Sequence, residues 1–159
     1  TLYGETEGGV RALIPGQDLL VLTASDSLKS GVGFSPANPL PDAAILDSDE
    51  VAEVNNVITQ YNATIAQIAN AKDFALVDIN AFFTNTAQNG YHEYGLNLST
   101  SYITGGIFSL DGVHPSNKGY AIVANEFIKV INDKYNAEIP LINVSTIPTG
   151  IPIYTPTED

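Results

Sequence analysis

Ser109-Leu110-Asp111-Gly112-Val113-His114-Pro115-Ser116 decides how this chain is read. It sets a carboxylate and an imidazole three residues apart on a loop, and an amphipathic run opens directly behind it. Gly112 lets the backbone turn without a Cβ, and Pro115 stiffens the exit. Ser116 is a natural N-cap, so a helix is expected from there, with Tyr120, Val123, Ala124, Phe127, Val130 and Ile131 as its apolar face. A histidine takes a proton from a hydroxyl when one ring nitrogen is free and the other is held by an acceptor. Asp111 can be that acceptor for His114, orienting the ring and stabilising the imidazolium as it forms. The bland alternative is an Asp that caps a turn beside a His that packs. A glycine-bearing loop that opens a helix tips the reading toward chemistry.

Strands and helices alternate outward from this loop. Leu19 to Ala24 is a short apolar run behind Pro15-Gly16 and reads as a buried strand. The glycines and prolines between 30 and 46 make a long irregular loop. Asp47 stands three residues before Glu50, a capping-box pattern. Val51, Val54, Val57, Ile58, Tyr61, Ile65 and Ile68 then form one stripe of a helix running to about Ala71. Phe74 to Ile79 reads as a second buried strand. A short helical or turn segment ends at Asn89-Gly90, and Tyr91 to Ile103 reads as a hairpin about Gly95 to Asn97. The stretch from Ile139 onward is Pro-punctuated and β-branched, an edge strand or a wrapping tail. Buried strands alternating with helices predict an α/β layer fold.

Composition bounds the partners. The chain has 159 residues, 44% of them hydrophobic, enough for one globular domain with a real core. Its net charge of −12 repels phosphate backbones, so nucleic acid is not expected as a partner. The acids are dispersed, with no hand-type calcium loop, and no stretch is apolar enough to span a bilayer. The absence of cysteine removes disulfides, thiolate metal sites and thiol nucleophiles from consideration. Two histidines without a carboxylate cluster at ligand spacing argue against a metal-dependent hydrolase. His92 reads as a surface residue of the hairpin, since one histidine does not make a metal site. Asp78 reads as a turn cap or as a residue at the carboxyl edge of the sheet. Phe82, Phe83, Tyr102 and Phe108 read as core, with an acyl pocket as the sharper alternative. Asn62, Asn97 and Asn143 each open a glycosylation sequon, relevant only in a eukaryotic secretory setting.

The block from Phe108 to Ser116, continuing through Gly119-Tyr120-Ala121, resembles the final block of the SGNH (GDSL-type) hydrolases. The likeness is nearest to the bacterial exported or lipoprotein branch, and Leu76-Val77-Asp78-Ile79, Gly105-Gly106-Ile107-Phe108 and Tyr61 to Ile65 support it. It covers roughly residues 18 to 140. The resemblance implies a three-layer α/β/α esterase, lipase or acylhydrolase fold, here with an added hairpin and tail. Asp111 would be the triad acid and His114 the base, acting on a small-molecule or lipid ester with no cofactor and no metal. It further implies a location outside the cytoplasm, whether periplasmic, secreted or lipid-anchored.

The family's other blocks carry the nucleophile in Gly-Asp-Ser-Leu and an oxyanion asparagine in Gly-x-Asn-Asp. No Gly-x-Asn-Asp is present, and the nearest match to the first block is Ser25-Asp26-Ser27-Leu28, with Ser25 in place of glycine. Ser27 and His114 are 87 positions apart. Three further strand-and-crossover units at roughly 30 residues each would fill that interval before any loop. Ser27 is therefore read as a turn or N-cap serine, with the nucleophile role kept as an alternative. The expectation is a single domain over 1–159, the C-terminal portion of a larger hydrolase domain, with residues 141–159 as an extended tail. The nucleophile block would lie on a preceding segment, and the absence of any methionine, even at position 1, agrees with that. Alone, such a chain supplies acid and base without an attacking group. The competing class is a non-catalytic binding module or a pseudo-enzyme of hydrolase ancestry.

Overall fold

A computed structural model describes residues 1–148, and residues 149–159 lie outside the described residues. The chain is an α/β protein of mixed helix and small sheets. It divides into two compact units, Thr1–Ile68 and Ala69–Asp159.

The first unit opens with an antiparallel hairpin of β1 (Tyr3–Thr6) and β2 (Gly9–Ala12), in the register Tyr3 opposite Ala12. Gly4 leaves room for the side chain of Ile45, whose Cδ1 would stand 2.0 Å from a Cβ there and would have to move aside. Strand β3 (Leu19–Leu20) pairs antiparallel with β4 (Ile45–Leu46), and α1 (Ala24–Lys29) lies between them in sequence. Ala24, Leu40, Ala44 and Ile45 form the core, with Leu13, Leu20, Leu28 and Val32 against it. The strand expected over Leu19 to Ala24 is thus only two residues long. Its partner β4 supplies a two-residue ladder, and the backbone then turns at once, Ala24 N donating to Val21 O at 2.9 Å.

Helix α2 (Ser48–Ala71) begins where the capping box places it. Asp47 Oδ1 accepts from the amides of Asp49 and Glu50 at 3.0 and 3.1 Å, and Glu50 Oε2 accepts from Asp47 N at 2.9 Å. The stripe predicted for this helix is present, but Val54, Val57, Ile58, Tyr61, Ile65 and Ile68 are all exposed. Periodicity placed the stripe correctly; no described residue of the first unit covers it.

In the second unit, Phe74 to Asp78 carries no ladder and stays irregular, with Phe74 and Leu76 exposed. This corrects the expected buried strand: a strand needs a paired neighbour to satisfy its amides, and none exists among the described residues. Asp78 instead caps α3 (Ile79–Asn89), accepting from Ala81 N at 2.8 Å, and Gly90 closes the helix at φ 78°. The expected hairpin is reduced to one antiparallel bridge between Tyr91 and Leu98, with Tyr94 and Gly95 at positive φ in the turn.

Helix α4 (Asn117–Tyr135) starts at the predicted cap, Ser116 Oγ accepting from Gly119 N at 3.1 Å. Its buried face is Gly119, Ala121, Ile122 and Asn125, not the predicted stripe, of which Tyr120 and Phe127 are exposed. The reason lies downstream. Asn125 Nδ2 donates to Ile142 O and its Oδ1 accepts from Ile142 N, both at 2.8 Å. Asn132 makes the same double bond with Ile139, at 2.9 Å each way. Residues 139–148 are thereby strapped along α4, burying Val144 against Ile107 and Ile122. Of the extended tail expected over 141–159, the part to 148 wraps and includes a short 3-10 turn, Val144–Thr146; the remainder lies outside the described residues.

Candidate active site

The loop 109–114 is held shut at its base. Phe108 and Pro115 form an antiparallel bridge, and Ser109 N donates to His114 O at 2.8 Å. Helix α4 presses on the strand-like entry to this loop: Ser116 N donates to Ile107 O at 2.7 Å, and Ser116 Oγ donates to Gly106 O at 2.7 Å. Gly119 makes this approach possible, since a Cβ there would stand 2.1 Å from Ile107 O. From the other side Tyr102 Oη donates to Leu110 O at 2.7 Å. Gly112, at φ 72°, supplies the left-handed corner.

Within the loop, Asp111 Oδ1 accepts from the amides of Val113 and His114 at 2.9 Å each, and from Ser109 Oγ at 2.7 Å. Its Oδ2 lies 2.7 Å from His114 Nδ1. A carboxylate only accepts, so the ring proton sits on Nδ1 and Nε2 carries the lone pair. The Ser109 hydroxyl first, then the Val113 amide and His114, hold the Asp111 carboxyl well below the usual carboxylate range. The acid therefore stays ionised at neutral pH. The His114 side chain is 70% exposed and that of Asp111 50%, so the ring is open to an incoming molecule. Beside the loop lies a groove of about 430 Å³ with Leu98, Ile103, Phe108, Leu110 and Pro115 among its walls. Ile103, a β-branched residue held at φ 65°, stands exposed at this groove.

Asp111 and His114 are brought together as a bonded pair. Ser27 is carried by α1 of the first unit, inside the helix and not at its N-cap, which is Thr23. The cap reading of Ser27 is corrected accordingly. Its carbonyl accepts from Ser30 Oγ and Val32 N, at 2.8 and 3.0 Å. His92 has both ring nitrogens occupied, by Asn97 Oδ1 and Asn89 O at 2.8 Å each, so it serves as a turn clamp. Phe82, Phe83 and Phe108 pack on the core of Ile107 and Ile122, and Phe108 also reaches the groove. Ser109 carries a role that sequence reasoning had not assigned, and Tyr102, read there as core, is instead exposed and held by its hydroxyl to Leu110 O. A hydroxyl two residues before the acid was the available signal for Ser109; nothing local pointed from Tyr102 to Leu110. Among the described residues, no group of three or more His, Cys, Asp and Glu side chains is arranged to hold a metal ion.

An Asp–His pair on a helix-opening loop is an arrangement that can orient a general base. Residues 16–127 match the family model of the GDSL-like Lipase/Acylhydrolase, and the chain belongs to that family. The matched range takes in Ser27 as well as Asp111 and His114. No curated protein and no solved structure matches the chain.

Proposed function

We propose that this chain carries the acid–base half of a carboxylic ester hydrolase. His114 Nε2 takes the proton of a serine hydroxyl as that oxygen attacks the ester carbonyl, and then returns it to the leaving alkoxide. Asp111 keeps the ring in the Nδ1–H tautomer and stabilises the imidazolium between the two transfers. The observation that carries this reading is the 2.7 Å contact between Asp111 Oδ2 and His114 Nδ1, made by a pair open to solvent. The apolar groove beside it suits the acyl side of an ester. The nucleophile and the oxyanion asparagine belong to a Gly-Asp-Ser and a Gly-x-Asn-Asp block outside these 159 residues, and the place of action is outside the cytoplasm. The last point rests on the resemblance to the exported branch.

A second reading, favoured by a family match that spans Ser27, makes that serine the nucleophile. Hydrolysis of an activated ester by the 159-residue chain separates the two. Negligible turnover, equal in Ser27→Ala, is expected; a burst that vanishes in Ser27→Ala would establish Ser27 and remove the split-site reading. In a protein joining these residues to the serine block, His114→Ala should lower kcat/KM by about 10⁴-fold or more. Unchanged hydrolysis there would instead favour a non-catalytic module.

A further inference from the structure

We propose that Ser109 is a positioning residue of the Asp–His pair, its hydroxyl holding Asp111 Oδ1 so that Oδ2 alone faces His114 Nδ1. The inference rests on the catalytic reading above for its purpose, but not for its geometry. A carboxylate turns easily about its Cβ–Cγ bond, because that torsion is broad and two-fold. At a half-exposed site water competes for both oxygens, so the orientation has to be enforced by donors. Two come from the backbone on the C-terminal side of the acid, Val113 N and His114 N. Ser109 supplies the third from the N-terminal side, at 2.7 Å. Three donors on one oxygen leave the other to the imidazole.

Ser109 is well placed to act in this way because its own backbone is pinned at both polar atoms. Its amide donates to His114 O at 2.8 Å and its carbonyl accepts from Gly112 N at 3.1 Å. The hydroxyl is thus delivered by a closed loop. It is also not the nucleophile: its hydrogen is committed to the carboxylate, and among the described residues it makes no hydrogen bond to the His114 ring. The depressed Asp111 carboxyl, with the Ser109 contact as its foremost cause, agrees with this placement.

The test uses the 159-residue chain, with NMR titration of the Asp111 carboxyl carbon and the His114 ring nitrogens. Ser109→Ala should raise the Asp111 midpoint by about one pH unit and lower the Nδ1–H fraction of the neutral ring. Ser109→Thr, which keeps the hydroxyl, should restore both, and Ser109→Cys, close in size but a weak donor, should behave like alanine. Retained amide shifts of Val113 and His114 report that the loop is still closed. An Asp111 midpoint unchanged in Ser109→Ala and Ser109→Cys, or a threonine variant no different from alanine, overturns the proposal. Hydrolysis indifferent to His114 in the serine-bearing protein would remove the catalytic reading while leaving the effect of Ser109 on Asp111 standing.

Discussion

Asp111 accepts four hydrogen bonds, and each has a different consequence. The two backbone donors make the turn, Ser109 sets the carboxylate, and His114 receives its orientation in return. Asp111→Asn should keep the turn through its side-chain oxygen but present an amide donor to the ring. The imidazole then places its proton on Nε2, where it can no longer act as a base; ring-nitrogen shifts at neutral pH report that tautomer directly. His92 shows the opposite electrostatics. Its pKa is raised, first by the Asn97 contact and then by the Asn89 carbonyl, because both acceptors favour the doubly protonated ring. A raised folded pKa means the clamp contributes fully below the unfolded value near 6.5 and fades as pH rises through the folded midpoint. Asn97→Ala should move the His92 midpoint down toward the unfolded value in an NMR titration. Asp111, His114 and the cap at Ser116 were all legible in the sequence, since each acts within three residues of itself.

The starts of α2 and α4 were equally legible, and helix faces were not. The capping box at Asp47 and the N-cap at Ser116 involve partners three residues away, and both form as read. The buried side of α4 is chosen instead by Asn125 and Asn132, which treat a passing segment as a strand would treat its neighbour. Apolar periodicity had no means of finding them, because a polar residue at a buried position reads as a break in the stripe. Asn125 is 1% exposed and satisfies both polar groups of Ile142. Asn125→Ala should therefore cost about 2 kcal/mol in chemical denaturation, with the segment about Val144 losing amide-exchange protection first. Leucine in its place should not restore the loss, which separates lost hydrogen bonds from lost volume.

Each unit rests on a small apolar cluster, so single polar contacts weigh heavily in the stability of the chain. Asp18 is the main one in the first unit. Its side chain is 0% exposed, it meets Arg11 through both guanidinium nitrogens at 2.7 and 2.8 Å, and it accepts from the amides of Ile14 and Ser48. The Arg11 contact foremost, then the two amides, hold its carboxyl well below the ordinary range against the opposing effect of burial. Asp18→Ala strands those donors and should cost about 3 kcal/mol in urea unfolding. Because the folded pKa is depressed, the contribution is complete above the unfolded value near 3.9 and is lost as pH falls through the folded one. Loss of the first unit on acidification should thus begin below about pH 4 in wild type, and be blunted in Asp18→Ala.

The α/β class, the starts of α2 and α4 and the Asp–His loop could be read from the amino acids because caps, turns and a three-residue acid–base pair are short-range interactions with fixed spacing. Strand lengths, the exposed stripe of α2, the buried side of α4 and the place of Asp18 could not. They depend on groups 17 to 30 residues apart meeting in space, and no local pattern records which of two apolar faces will find a partner.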